Sequence, residues 1–193
     1  MTVSRSRTTE AGGSIHSIAF SPTEPLLATA SADKTIRLWD AETGREVRVL
    51  RGHTDRIYGI AFSPDGQLLA TGGWDRTLRI WSVATGETVR VLRGHTNWIW
   101  SVAFAPDGLR VVAGSADRTV RVWNGQEDTE TRILCGHDLK VLGVAFPPNG
   151  RLITSAGGDG VTKLWDANTG AEIRALLGHT DRVTSSVAAG FRS

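Results

Sequence analysis

Imidazole, hydroxyl and carboxylate side chains recur along this chain at one fixed interval. His53, His95, His137 and His179 each follow a glycine and stand 42 residues apart. Asp33, Asp75, Asp117 and Asp159 keep the same step, as do Trp39, Trp81, Trp123 and Trp165. Thr71 and Ser155 place hydroxyls between the His and Asp marks. Hydroxyl, imidazole and carboxylate are the groups of a nucleophilic triad. That chemistry needs a single exposed set aimed at an oxyanion site. Here the groups are copied along the chain, and no G-x-S-x-G elbow occurs. The four spaced His are poor metal ligands, because none has a second His or Cys three to five residues away. Neither common phosphate-binding loop is present. The expectation is a chain without catalytic residues, metal or cofactor.

The repetition itself is the stronger signal. Phe20, Phe62, Phe104 and Phe146 share the 42-residue step with the other marks. Several marks in one register mean one structural unit copied four times, with the start of a fifth at Gly178-His179. Among 193 residues, 40% are hydrophobic, enough for a core and too many for a disordered chain. The 22 basic and 20 acidic residues are interspersed, giving a net charge of +2 and no basic run that would mark nucleic-acid binding. No apolar stretch reaches the ~20 residues of a membrane helix, and the first residues lack the apolar core of a secretory signal. The single cysteine, Cys135, aligns with Arg51, Arg93 and Leu177 in the other copies, so no disulfide framework exists. A reducing, cytoplasmic setting is expected.

One copy shows what must position these groups. From Arg56 to Leu92, four short β-prone runs alternate with turn signals: Pro64-Asp65-Gly66, then Asp75-Arg76-Thr77, then Ala84-Thr85-Gly86. The helical period is absent. Each copy therefore predicts a four-stranded antiparallel meander. One such sheet buries too little to stand alone, so neighbouring copies must cover its faces.

A Gly-His pair, a turn Asp six residues before a Trp, and Trp-Asp closing the third strand at Trp39-Asp40 and Trp165-Asp166 resemble the WD-repeat β-propeller family. The resemblance covers residues 14 to about 183; Trp81-Ser82 and Trp123-Asn124 depart from the dipeptide. It implies an all-β propeller of four-stranded antiparallel blades, partial or closed by oligomerisation. The expected organisation is an N-terminal extension over 1–13, four blades over 14–177, and a truncated fifth repeat over 178–193.

The resemblance also implies a hydrogen-bonded tetrad in each blade. Carried over by position, this is His53, Thr71, Asp75 and Trp81 in the second blade and His137, Ser155, Asp159 and Trp165 in the fourth. The third has His95, Asp117 and Trp123, with Ala113 in place of the hydroxyl. The first has Thr29, Asp33 and Trp39, with Ala11 in place of the His. Buried polar groups must be paired, so the third blade is expected to be weaker by about 1 kcal/mol.

If the repeated residues hold the fold, binding belongs where the copies differ. Trp74, Trp98 and Trp100 stand outside the Trp column. Trp74 replaces Ala32, Ala116 and Gly158; Trp98 and Trp100 replace Arg56 and Tyr58, Lys140 and Leu142, and Ser14 and His16. In WD-repeat propellers these positions tend to face one end of the channel, which commonly holds partners. Arg56, Tyr58, Trp74, Trp98, Trp100 and Lys140 would then form an aromatic patch with basic residues on its rim, the composition of an interaction hot spot. The expected partner is a protein segment with apolar anchors and some acidic character, with no small-molecule substrate and no membrane. Three alternatives stand beside this: Trp98 and Trp100 packing into the adjacent blade, a cage for a cationic ligand, and a nucleic-acid- or chromatin-associated module. A further reading makes the chain the sensor part of a larger signalling protein.

Ring closure has three solutions in the sequence. Residues 5–9 lack the apolar alternation of a ring-closing strand, and after Val183 the fifth copy loses its Phe and its Pro-Asp-Gly turn. The chain is then a fragment of a longer propeller, half of an eight-bladed homodimeric ring, or a strained ring of four blades.

Overall fold

The computed structural model describes residues 13–125, 129–179 and 181–183. Ala11, nearly all of the N-terminal extension, the run 5–9 and the departure after Val183 lie outside the described residues. Every regular element in the described residues is a β-strand. Blade I contains β1 (Ile15–Phe20), β2 (Leu26–Ser31), β3 (Thr35–Asp40) and β4 (Glu46–Arg51). Blade II contains β5 (Ile57–Phe62), β6 (Leu68–Gly73), β7 (Leu78–Ser82) and β8 (Thr88–Leu92). Blade III contains β9 (Ile99–Phe104), β10 (Arg110–Ser115), β11 (Thr119–Asn124) and β12 (Glu130–Cys135). Blade IV contains β13 (Val141–Ala145), β14 (Leu152–Gly157), β15 (Thr162–Asp166) and β16 (Glu172–Leu176). Each is an antiparallel meander in sequence order.

The turn chemistry explains the meanders. Between the second and third strands the chain turns at Asp33-Lys34, Asp75-Arg76, Asp117-Arg118 and Asp159-Gly160. The residue after each Asp is left-handed, with φ of 71°, 65°, 73° and 76°. That conformation costs a non-glycine residue about 1–2 kcal/mol. The Asp offsets it locally: Asp75 Oδ1 accepts from the backbone N–H of Thr77 at 3.1 Å and from its hydroxyl at 2.8 Å. The same pair of bonds recurs at Asp33 and Asp117.

Neighbouring blades are joined by three apolar cores, one at each junction. Ile36, Leu38 and Leu50 of blade I pack with Ile57, Ile60, Leu69 and Trp81 of blade II. Blades II and III, and blades III and IV, repeat the arrangement. Trp81, Trp123 and Trp165 are buried, whereas Trp39 is only half-buried. The innermost strands pack in succession, β1 on β5, β5 on β9 and β9 on β13. Gly59 permits one close approach, since a Cβ there would stand 3.0 Å from the Val102 backbone nitrogen.

Three junctions joining four blades make an open arc. The outer face of blade I exposes Ile15, Ile18 and Phe20 to 60%, 60% and 66%, while their counterparts Ile99, Val102 and Phe104 are buried. At the other end all of β16 is exposed. The strained ring of four blades is therefore not the arrangement of this structure, because no blade among the described residues covers β1 or β16.

Candidate functional site

Two constellations stand out, one buried in the blades and one across their upper end. In blade II, Trp81 Nε1 donates to Thr71 Oγ1 at 2.8 Å. The Thr71 hydroxyl lies 2.8 Å from His53 Nε2, and His53 Nδ1 lies 2.8 Å from Asp75 Oδ2. The end members fix the direction of the chain. Indole can only donate and a carboxylate can only accept. His53 Nδ1 therefore donates to Asp75, and in the neutral form of the imidazole Nε2 accepts from Thr71. Blade IV repeats this at 2.8, 2.7 and 2.9 Å through Trp165, Ser155, His137 and Asp159.

The other two blades lack one member each, and the geometry registers it. In blade III, His95 Nδ1 meets Asp117 Oδ2 at 2.7 Å, but Ala113 offers no hydroxyl and buried His95 Nε2 has no hydrogen-bond partner among the described residues. The His95 and Trp123 rings stand 5.5 Å apart, closer than the 6.1 and 6.4 Å of blades II and IV. In blade I, Trp39 Nε1 still donates to Thr29 at 3.0 Å, and Asp33 still holds its turn.

Burial alone would push the Asp75 and Asp117 carboxyls up. Hydrogen bonds and charge attraction from His53 and His95, with donors from the loops, outweigh it and hold both well below the ordinary carboxylate range. These groups are sealed inside the blades and tied to one another. That suits them to fixing strand register and leaves none of them open to a substrate.

The second constellation lies where the first strand of each blade begins and the second ends. Each first strand carries one extra residue: His16, Tyr58, Trp100 and Leu142 are skipped in the pairing with the second strand. Such bulges re-aim a side chain. Three of the four side chains meet. His16 stacks on Tyr58 at 4.0 Å, Tyr58 on Trp74 at 5.2 Å and Trp74 on Trp98 at 4.0 Å, each pair within 9° of parallel. Trp100 stands edge-on to Tyr58 at 4.7 Å and to Trp74 at 6.0 Å. Arg56 lies over Trp74 and Lys140 over Trp100, both at 5.1 Å from the ring centre.

All six residues of the expected patch are thus brought together. Two details differ from the sequence reading. The cations sit on the ring faces and not around a rim, as the ring quadrupole favours. His16, a mere counterpart in the sequence comparison, is the fourth member of the stacked row. Burial, then the nearby Arg56 charge, lowers its pKa. The buried ring nitrogens His16 Nε2, Trp74 Nε1 and Trp100 Nε1 make no hydrogen bond among the described residues.

Beside this row the copies diverge. Where blade II has Trp74, blades III and IV have Ala116 and Gly158, and a hollow of about 490 Å³ opens there. Arg118, Leu139, Lys140, Asp181 and Arg182 complete its lining. Lys140 belongs to both the hollow and the aromatic row.

Radially packed four-stranded blades, with paired polar groups inside and a variable upper end, define a β-propeller interaction module. The family described as WD domain, G-beta repeat matches residues 4–40, 44–82, 86–124 and 128–166, and the chain belongs to it. Each matched unit from residue 44 onward takes the last strand of one blade and three strands of the next, so the sequence repeat itself ties neighbouring blades together. Single stretches are similar to curated proteins. One is 46% identical over 44 residues to the general transcriptional corepressor TUP1 of Saccharomyces cerevisiae, covering 23% of this chain and 6% of that protein. Another is 42% identical over 40 residues to a Lissencephaly-1 homolog of Caenorhabditis briggsae, covering 21% and 10%. A third is 53% identical over 38 residues to the probable serine/threonine-protein kinase PkwA of Thermomonospora curvata, covering 20% and 5%. Each match spans a tenth or less of the relative.

Proposed function

We propose that this chain is a protein-interaction scaffold that grips a peptide or loop of its partner across the upper end of blades II to IV. The carrying observation is the row His16–Tyr58–Trp74–Trp98 with Trp100 edge-on. Trp98 remains 40% exposed at the end of that row. Clustered Trp, Tyr and Arg on rigid strands are what a binding hot spot requires, and little ordering entropy is lost when the loops are already held. The neighbouring hollow, with Arg118, Lys140 and Arg182, suits an acidic side chain beside an apolar anchor. A cage for a cationic ligand fits less well, because Arg56 and Lys140 already lie over Trp74 and Trp100.

The test uses a random peptide display library panned against the wild-type chain alone, with the selected peptides then measured against both wild type and Trp98→Ala. The expected outcome is peptides with an aromatic or large aliphatic residue next to Asp or Glu, whose affinity falls at least tenfold for the variant. Their binding changes little between low and moderate salt. Peptides that bind Trp98→Ala equally well would overturn the reading. A steep loss of binding with salt, shared by a DNA duplex, would point instead to nucleic acid.

A further inference from the structure

We infer that the two open ends of the arc are complementary halves of one junction, and that a second copy of this chain docks head to tail on each. This inference is independent of the partner proposed for the upper end. It rests on a clamp that recurs between blades. Arg48 on β4 reaches across to blade II and donates to the Thr85 carbonyl at 2.7 Å and the Ala84 carbonyl at 2.8 Å. Arg90 on β8 donates to the Gly125 carbonyl of blade III at 3.0 Å, and Arg132 on β12 to the Asn168 carbonyl of blade IV at 2.7 Å. The next arginine in the series is Arg174 on β16. It is exposed and has no hydrogen bond or ion pair among the described residues.

The acceptor half is free at the opposite end. The Glu42 and Thr43 carbonyls of blade I occupy the places of Ala84 and Thr85, and neither accepts a hydrogen bond among the described residues. Gly86 and Gly170 each lie against the arginine stem and leucine tip of the preceding blade, whereas nothing stands within 4 Å of the Cβ position at Gly44. The apolar parts follow the same rule. Leu50, Leu92 and Leu134 are buried in their junctions, but Leu176 is 45% exposed. Gly52 and Gly136 abut Trp81 and Trp165 of the following blade, whereas Gly178 has no neighbour there.

One end therefore carries an unused guanidinium and leucine, and the other carries unused carbonyls, an open glycine and the exposed Ile15, Ile18 and Phe20. The chain's own N-terminal residues cannot supply the clamp, since Ser6 and Thr8 stand at the repeat positions of Arg48 and Leu50. A second copy brings Arg174 and Leu176. Two such junctions, related by a twofold axis, close two arcs into eight blades.

The experiment is sedimentation velocity on the 193-residue chain at tens of micromolar, with one variant for each end: Leu176→Glu and Ile18→Glu. Wild type is expected at twice 20.7 kDa. Each variant alone has both junctions broken and is expected at the monomer mass, with an unchanged β-sheet circular dichroism spectrum. An equimolar mixture retains one intact junction and is expected to recover a two-chain species. A monomeric wild type would overturn the inference. So would loss of pairing in only one variant, which signals like faces meeting, or a mixture that stays monomeric.

Discussion

Individual residues of this chain divide into those that hold the blade and those that face outward. Thr71 sits between two groups that each need it: it accepts from Trp81 and pairs with His53 Nε2. Thr71→Val keeps the shape and orphans both. The expected loss is about 1–3 kcal/mol for each stranded group, read from urea unfolding. The reciprocal change is Ala113→Thr, which offers a hydroxyl to the unpaired His95 Nε2. A gain of about 1 kcal/mol is expected if the larger side chain is accommodated. Acid should act on the same network. Asp75 and Asp117 have folded-state pKa values held below their unfolded ones. Their contribution is complete above the unfolded value near 3.9 and is lost as pH falls below it. Urea midpoints should drop steeply below about pH 4, and Asp75→Asn, already weaker at neutral pH, should flatten that drop. The tetrad positions were legible because each mark repeats. The Ala113 gap was legible because one copy breaks the pattern.

Within the elements, turns and bulges set direction. Gly86 and Gly44 share a left-handed backbone, with φ of 77° and 71°. Only Gly86 also lies against the Arg48 stem. In the monomeric Leu176→Glu background, Gly44→Ala should cost only the backbone strain, roughly 1 kcal/mol. Gly86→Ala should cost clearly more, and parallel denaturant unfolding of the two variants measures the difference. The four strands per copy could be read from alternation and turn residues. The bulges at His16, Tyr58, Trp100 and Leu142 could not, because an extra residue present in every copy leaves the 42-residue period intact. Register is a matter of backbone pairing, and the repeat is blind to it. The arginine clamp did leave a mark: Arg48, Arg90, Arg132 and Arg174 keep the same step as the His and Trp columns. It is easily passed over, because arginine on an outer strand looks like a solvated charge.

Among the described residues the apolar cores join neighbouring blades, so stability is close to a sum of blade and junction contributions. The end blades, each with one covered face, should open first. In the monomeric Leu176→Glu background, amide hydrogen exchange should be fastest in β1, β2 and β16 and slowest in β6 and β10. The number of blades and of the junctions a ring would need could be counted in the sequence, but the fate of the ends depends on surfaces meeting in space. The members of the aromatic patch followed from comparison of copies and its placement at one end from the family resemblance, whereas the stacking that organises it follows from the bulges.

Repeated residues hold the fold, and differing residues at the upper end bind. Trp98→Ala probes that division of labour at one position, with peptide affinity and unfolding midpoint measured on the same sample. Trp98 ends the stacked row with one parallel neighbour at 4.0 Å, so truncation should lower stability by only about 1 kcal/mol while affinity falls at least tenfold. An unfolding loss of several kcal/mol with affinity unchanged would place Trp98 in the core and refute the division.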